Sequence, residues 1–146
     1  MLQKRRADGL ELSSDPARLD LDRVHRWLSG ESYWAAGRTR DVVDRSFAAS
    51  LGVGVYDGGT QVGVARVVTD RATFAWVCDV FVDAGYRGRG IGTWLIAAIT
   101  GHLQADGVRR VVLATRDAHE VYAGVGFRPL AAPERWMEID RRGVVA

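Results

Sequence analysis

Apolar residues first recur at helical spacing along this chain and then switch to alternation. Leu21, Val24, Trp27 and Leu28 share one face of a 3.6-residue period after Asp20, which can cap a helix, and Gly30 is placed to stop it. A second helix is predicted from about Thr39, with Val43 and Phe47 on its apolar face. From position 51 the period becomes two, as Leu51, Val53 and Val55 alternate with Gly52, Gly54 and Tyr56. Asp57-Gly58-Gly59 supplies residues that tolerate positive φ, so a tight hairpin is expected, with Thr60–Thr69 returning as the partner strand. A short strand at 10–13 and a third β segment over 73–82, after a turn at Asp70-Arg71, complete this part.

Glycine then punctuates the chain. The run Gly85-Tyr86-Arg87-Gly88-Arg89-Gly90-Ile91-Gly92-Thr93 leads into a helix with Ile91, Leu95, Ala98 and Ile99 at helical spacing, ending near Gly107. A buried strand over 108–114, a short helix over 118–125 closed by Gly126, and one or two strands over 127–140 are predicted to follow.

Composition adds boundaries to this picture. With 146 residues, 47% apolar and 26% charged, the chain reads as one folded domain over 1–146. Its single cysteine, Cys78, lies in an apolar run, which excludes an internal disulfide and a thiolate metal cluster. No metal is expected, since His119 and Glu120 fit no His-x-x-x-His spacing. The basic start has no apolar region after it and no stretch is long enough to span a bilayer, so a cytoplasmic protein without membrane association is expected. The net charge of +2 is not gathered into a basic run or interleaved with stacking aromatics, which argues against a nucleic-acid partner. A homodimer is compatible with the sequence.

A strand that enters a glycine-rich turn and then a helix lets backbone N–H groups converge on an anion at the helix N-terminus. Gly88, Gly90 and Gly92 allow close approach, and Arg87 and Arg89 can add charge-assisted contacts. A Walker A loop is excluded because Ile91, and not lysine, follows Gly90. A dinucleotide G-x-G-x-x-G fingerprint started at Gly88 meets Thr93, and one started at Gly90 meets Leu95.

The remaining pattern, Arg87-Gly88-Arg89-Gly90-Ile91-Gly92, resembles the R/Q-x-x-G-x-G/A signature of the GNAT acyltransferases. It follows the apolar Val80-Phe81-Val82 and precedes a long helix, as in that superfamily. A second hallmark stands downstream as Tyr122-x-x-x-Gly126-Phe127, with Ala118 four residues before the tyrosine. The resemblance covers roughly 51–139, with the two N-terminal helices also in place. Phrases around Ser32-Tyr33-Trp34, Arg66-Val67-Val68 and Thr115-Arg116-Asp117 are similar to a bacterial subgroup.

The resemblance implies a mixed α/β (α+β) fold: a mostly antiparallel twisted sheet of six to seven strands, about four flanking helices, and a splayed strand pair that holds the cofactor. It implies acetyl-CoA as co-substrate, bound by Val80, Phe81 and Val82 and by the loop Arg87, Gly88, Arg89, Gly90, Ile91, Gly92 and Thr93. Many members carry asparagine where Thr115 stands, so that residue is expected to touch the cofactor with shorter reach. Tyr122 matches the family's general acid; a phenol with an ordinary pKa near 10 is protonated at neutral pH. Asp79 matches the aspartate of a Glu-Asp-x-x-Val phrase whose glutamate is replaced by Cys78. It can act as a base, bind a cationic amine, or pair with an arginine. Cys78 itself is expected to be a core residue and not a nucleophile. The implied function is N-acetyl transfer to an amine of a small molecule or a protein, with Tyr33, Trp34 and Asp79 near the acceptor. The alternative is a sensor or interaction module that binds acyl-CoA without turnover.

Overall fold

In the computed structural model, which describes residues 1–143, the helix caps act where the sequence places them. The Asp20 carboxylate accepts from the Arg23 N–H at 3.0 Å and opens helix α1, Leu21–Glu31, with Val24, Trp27 and Leu28 buried. Gly30 does not stop this helix, because it lacks the positive φ of a terminating glycine. Ser32 ends it instead: its hydroxyl donates to the Leu28 carbonyl at 2.7 Å and accepts from the Ala35 N–H at 3.1 Å. Thr39 caps helix α2, Arg40–Ala48, by accepting from the Val42 N–H at 3.3 Å.

Strands β1 (Gln3–Arg5), β2 (Glu11–Ser13), β3 (Leu51–Asp57), β4 (Thr60–Thr69), β5 (Ala75–Val82) and β6 (Val111–Val112) lie in chain order across a six-stranded sheet. All neighbours are antiparallel except β5 and β6, which are parallel. This is the mixed α/β, mostly antiparallel arrangement expected. The sequence missed β1, since an exposed Gln-Lys-Arg edge strand has no apolar alternation to reveal it.

Helices cover both faces of the sheet. Helix α3, Ile91–Ala105, packs Leu95, Ile96 and Ile99 against Val53, Val55, Val67 and Val77 on one face. On the other, Val24, Trp27, Leu28, Val43 and Phe47 of α1 and α2 close over Val64 and Phe81. Among the described residues no helix is long and apolar enough to cross a membrane.

The carboxyl-terminal third departs from expectation. The strand foreseen over 108–114 pairs only at Val111 and Val112, which are half-buried and not fully buried. The short helix is α4, His119–Ala123; it ends where Gly126, at φ 116°, lets the Phe127 N–H return to the Tyr122 carbonyl at 3.1 Å. No strand forms over 127–140. Pro129 and Pro133 have no N–H to give a ladder, a 3-10 turn occupies Pro133–Arg135, and Met137 and Ile139 stand 97% and 80% exposed.

One strand glycine is dictated by packing. A Cβ at Gly54 would lie 2.6 Å from Tyr56 Cζ, in a ring that is buried and capped by the Arg18 guanidinium 4.0 Å from its centroid. The Tyr56 phenol is pushed up to about 12, chiefly by burial, and its hydroxyl has no hydrogen-bond partner among the described residues. Gly54→Ala is therefore expected to cost about 1–3 kcal/mol through overpacking, seen as a lowered melting temperature by circular dichroism. An unchanged midpoint would mean that the ring moves aside freely.

Candidate functional site

β6 touches β5 only at Ala75↔Val111 and Trp76↔Val112, and beyond Trp76 the strands part. The edge of β5 from Val77 to Val82 therefore has no strand partner on that side, and its backbone groups face a gap. A cavity of about 380 Å³ lies on the gap, with Tyr33, Trp34, Arg38, Asp79, Thr115 and Tyr122 in its wall. A second of about 210 Å³ lies against Val82, Arg87, Gly88, Gly90, Gly92 and Thr93. Val80, half-buried, lines the first cavity and Val82 the second, so the free edge of β5 joins the two.

The glycine loop leaves a helix start open. Gly88 and Gly90 have φ of 79° and 72°, and Gly90 caps α3 without a side chain, leaving the N–H groups of Ile91, Gly92 and Thr93 at an open helix start. A Cβ on Gly92 would meet nothing within 4 Å, so no packing inside the protein requires glycine there. Arg87 ties the loop to the strand end, its Nε donating to the Val82 carbonyl at 3.1 Å. The Arg89 carbonyl accepts from Arg6 Nη1 at 3.0 Å. Phe81 and Ile91 can contribute only main-chain atoms: the Phe81 ring stacks on Trp27 at 5.4 Å and the Ile91 side chain is in the core.

At the other end stands Asp79. Between Val64↔Phe81 and Arg66↔Cys78, two steps along β4 match three along β5, a bulge that contains Asp79 at φ 49°. A left-handed aspartate inside a strand is held by its surroundings. Its Oδ1 accepts from Trp34 Nε1 at 2.9 Å, and its Oδ2 accepts from Arg38 Nη1 at 2.8 Å and Arg66 Nε at 2.7 Å. The side chain is only 1% exposed. Of the roles open to it from sequence, the geometry is that of pairing with arginine.

The neighbouring groups line the same cavity. Tyr33 packs edge-on against Trp34 at 5.1 Å, accepts from the Arg116 N–H at 3.1 Å, and carries the Arg116 guanidinium 3.7 Å from its ring centroid. The Thr115 hydroxyl accepts from the Ala118 N–H at 3.1 Å and so sets the start of α4. Tyr122, packed edge-to-face on Phe127 at 5.9 Å, has its phenol pushed up by burial and, less, by Tyr33, which keeps it protonated at neutral pH. The Cys78 thiol is pushed up to about 11 by burial, which keeps it protonated and poorly nucleophilic. His119 is exposed and outside both cavities, and His25 bonds the Arg38 carbonyl through Nε2 at 3.0 Å. Among the described residues, no group of three or more His, Cys, Asp or Glu could hold a metal ion.

Sequence reasoning gave no site role to Arg66 or Arg116. The available signal for Arg66 was a charge amid the apolar positions of a strand that turns out buried. Nothing local marked Arg116, whose place depends on Tyr33 from a loop 83 residues earlier.

Comparisons with known proteins identify the family and the fold. The model of the acetyltransferase (GNAT) family matches residues 21–127. A candidate acetyltransferase of Gibberella zeae is 30% identical over 131 residues, covering 76% of this chain and 74% of that protein. The crystal structure of a GNAT-family protein from Xanthomonas campestris pv. campestris superposes with a TM-score of 0.87 at 41% identity, over 92% of this chain and 95% of that one. A Clostridium acetobutylicum protein solved with acetyl-CoA shares the fold, with a TM-score of 0.70 at 13% identity over 90% of this chain and 96% of that one.

Two substitutions test the halves of the site. Gly92→Ala, in the first turn of α3, should leave the stability of the ligand-free protein unchanged or slightly raised, while weakening coenzyme A binding in calorimetry. Tighter or unchanged binding would separate the loop from the ligand. Asp79→Ala strips two guanidiniums of their shared carboxylate and should lower the unfolding free energy by about 3–5 kcal/mol in urea titration. A loss below about 1 kcal/mol, the scale of an exposed pair, would mean that water solvates both arginines.

Proposed function

The chain belongs to the GNAT acetyltransferase family, and from that premise we propose that it transfers the acetyl group of acetyl-CoA to an amine by direct attack. The observation that carries this reading is the parting of β5 from β6 beyond Trp76, with a glycine-rich helix start at one end of the free edge and Tyr122 near the other. The residues present fit the co-substrate: an open backbone edge suits a pantetheine arm, and the unobstructed Gly92 suits a diphosphate.

Acetyl-CoA supplies the acyl group as an activated thioester. Main-chain groups of Val80 and Val82 hold its arm by strand-like hydrogen bonds, and the N–H groups at the start of α3 hold its phosphates with Arg87 and Arg89 nearby. A β5 N–H at the gap can donate to the oxygen on which charge develops. Tyr122 keeps its proton at Oη through neutral pH and, in this reading, gives it to the departing sulfur. Asp79, already accepting from Trp34, Arg38 and Arg66, serves as a structural anchor of the acceptor wall, so the incoming amine loses its proton to water. The acceptor is an amine of a small molecule or a protein.

Coenzyme A should stabilise the protein by about 2.7 kcal/mol at a hundredfold excess over Kd, measured as a rise in melting temperature. No shift at millimolar ligand would remove the basis of the proposal. Tyr122→Phe keeps the ring and deletes the proton, so turnover should fall by about 10²–10⁴-fold while coenzyme A affinity holds. Binding without thiol release from acetyl-CoA across a broad amine panel would instead favour a sensor.

A further inference from the structure

The acceptor cavity has more cationic than anionic groups in its wall. Arg38, Arg66, Arg116 and Arg142 line it, against Asp79 and Asp117. Arg142 is balanced locally, its Nε and Nη2 each donating to Asp140 at 2.8 Å, and Arg116 lies 3.4 Å from Asp117 at the exposed rim. The inner group is not balanced. Arg38 and Arg66 share the one carboxylate of Asp79, with side chains 21% and 11% exposed, which leaves one positive charge in excess in a largely desolvated wall.

Excess charge of this kind has a direction. Arg66 gives Nε to Asp79 and Nη1 to the neutral Ser50 hydroxyl at 3.1 Å. Arg38 gives Nη1 to Asp79, and its other guanidinium nitrogens have no partner among the described residues. The His25 contact fixes the Arg38 main chain and the Asp79 bond at 2.8 Å holds its guanidinium at the wall. A guanidinium with free N–H groups is matched by a planar anion that accepts two parallel hydrogen bonds, as a carboxylate does. A polyamine or other extended cation meets the opposite: an arginine excess and an aspartate whose oxygens are engaged. Beside these groups Tyr33, Trp34 and Trp76 offer partly exposed aromatic walls.

Resting on the acetyl-transfer reading, we propose that the acceptor is an amino-acid-type molecule, its amine accompanied by a carboxylate that Arg38 and Arg66 bind, with Arg116 at the rim. The carboxylate anchors the molecule at the wall and the amine is left to face the strand gap.

The test compares each common α-amino acid with its own carboxamide and with the amine left by decarboxylation, on the unmodified protein. Calorimetric binding to the coenzyme A-loaded protein and thiol release from acetyl-CoA are both read. The carboxamide is the decisive control. Its amine titrates near 7.7–8.0, as a peptide N-terminus does, so deprotonation alone would favour the amide over the acid. At least one acid is expected to bind and react about tenfold or more better than its amide, the scale of one charge-assisted pair. Arg38→Gln should remove most of that ratio, and Arg116→Gln, at an exposed position, should reduce it without a risk to folding.

Amides, decarboxylated amines or peptide N-termini that react as well as the acids would overturn the carboxylate proposal while leaving acetyl transfer intact. Acids that bind selectively and lose that selectivity in Arg38→Gln, yet release no thiol, would uphold the carboxylate site and sink the transfer reading. Absence of binding by every acid overturns the proposal outright.

Discussion

One buried carboxylate organises the larger-walled end of the strand gap, where Tyr33, Trp34 and Tyr122 stand. Asp79 sits on a bulge of β5 and accepts hydrogen bonds from the loop between α1 and α2, through Trp34 and Arg38, and from β4, through Arg66. Two separate stretches of chain are thereby set relative to the strand that borders the gap. At 1% exposure the Asp79 oxygens have no water to bond, so all of these partners must be in place together. The left-handed φ of Asp79 is the local cost, and the ion cluster is what holds it.

The other half depends on what is missing from the strand ladder. β6 is two residues long and releases β5 after Trp76, which leaves hydrogen-bonding groups at a sheet edge inside the fold. Such groups call for a partner of extended shape. The helix that starts at Ile91 offers its unpaired N–H groups at the far end of the same edge, with nothing packed where a side chain on Gly92 would project. The proposed acetyl-CoA site rests on those two openings together.

The two halves also explain why similar residues differ in chemistry. Cys78 and Asp79 are neighbours on one bulge, yet the thiol is raised to about 11 by burial while the carboxylate is matched by arginine. Tyr122 is raised by the same desolvation.

Much of this was legible in the chain itself. The alternation at 51–69, the caps Asp20 and Thr39, and the Arg87–Gly92 loop depend on residues close in sequence, where periodicity and positive-φ tolerance act directly. They determined the elements, the helix start and the family. The role of Asp79 was not determined locally, because base, cation binder and ion partner differ only in which distant groups face it. Trp34, Arg38 and Arg66 lie 45, 41 and 13 residues away, and only the folded sheet brings them together. The end of the sheet was misjudged for a related reason. Residues 108–114 and 127–140 carry apolar strand-like composition, but a strand exists only where a neighbour supplies hydrogen bonds. Beyond Val112 that neighbour has turned away, and tertiary geometry, not local pattern, decides where the ladder stops and the site begins.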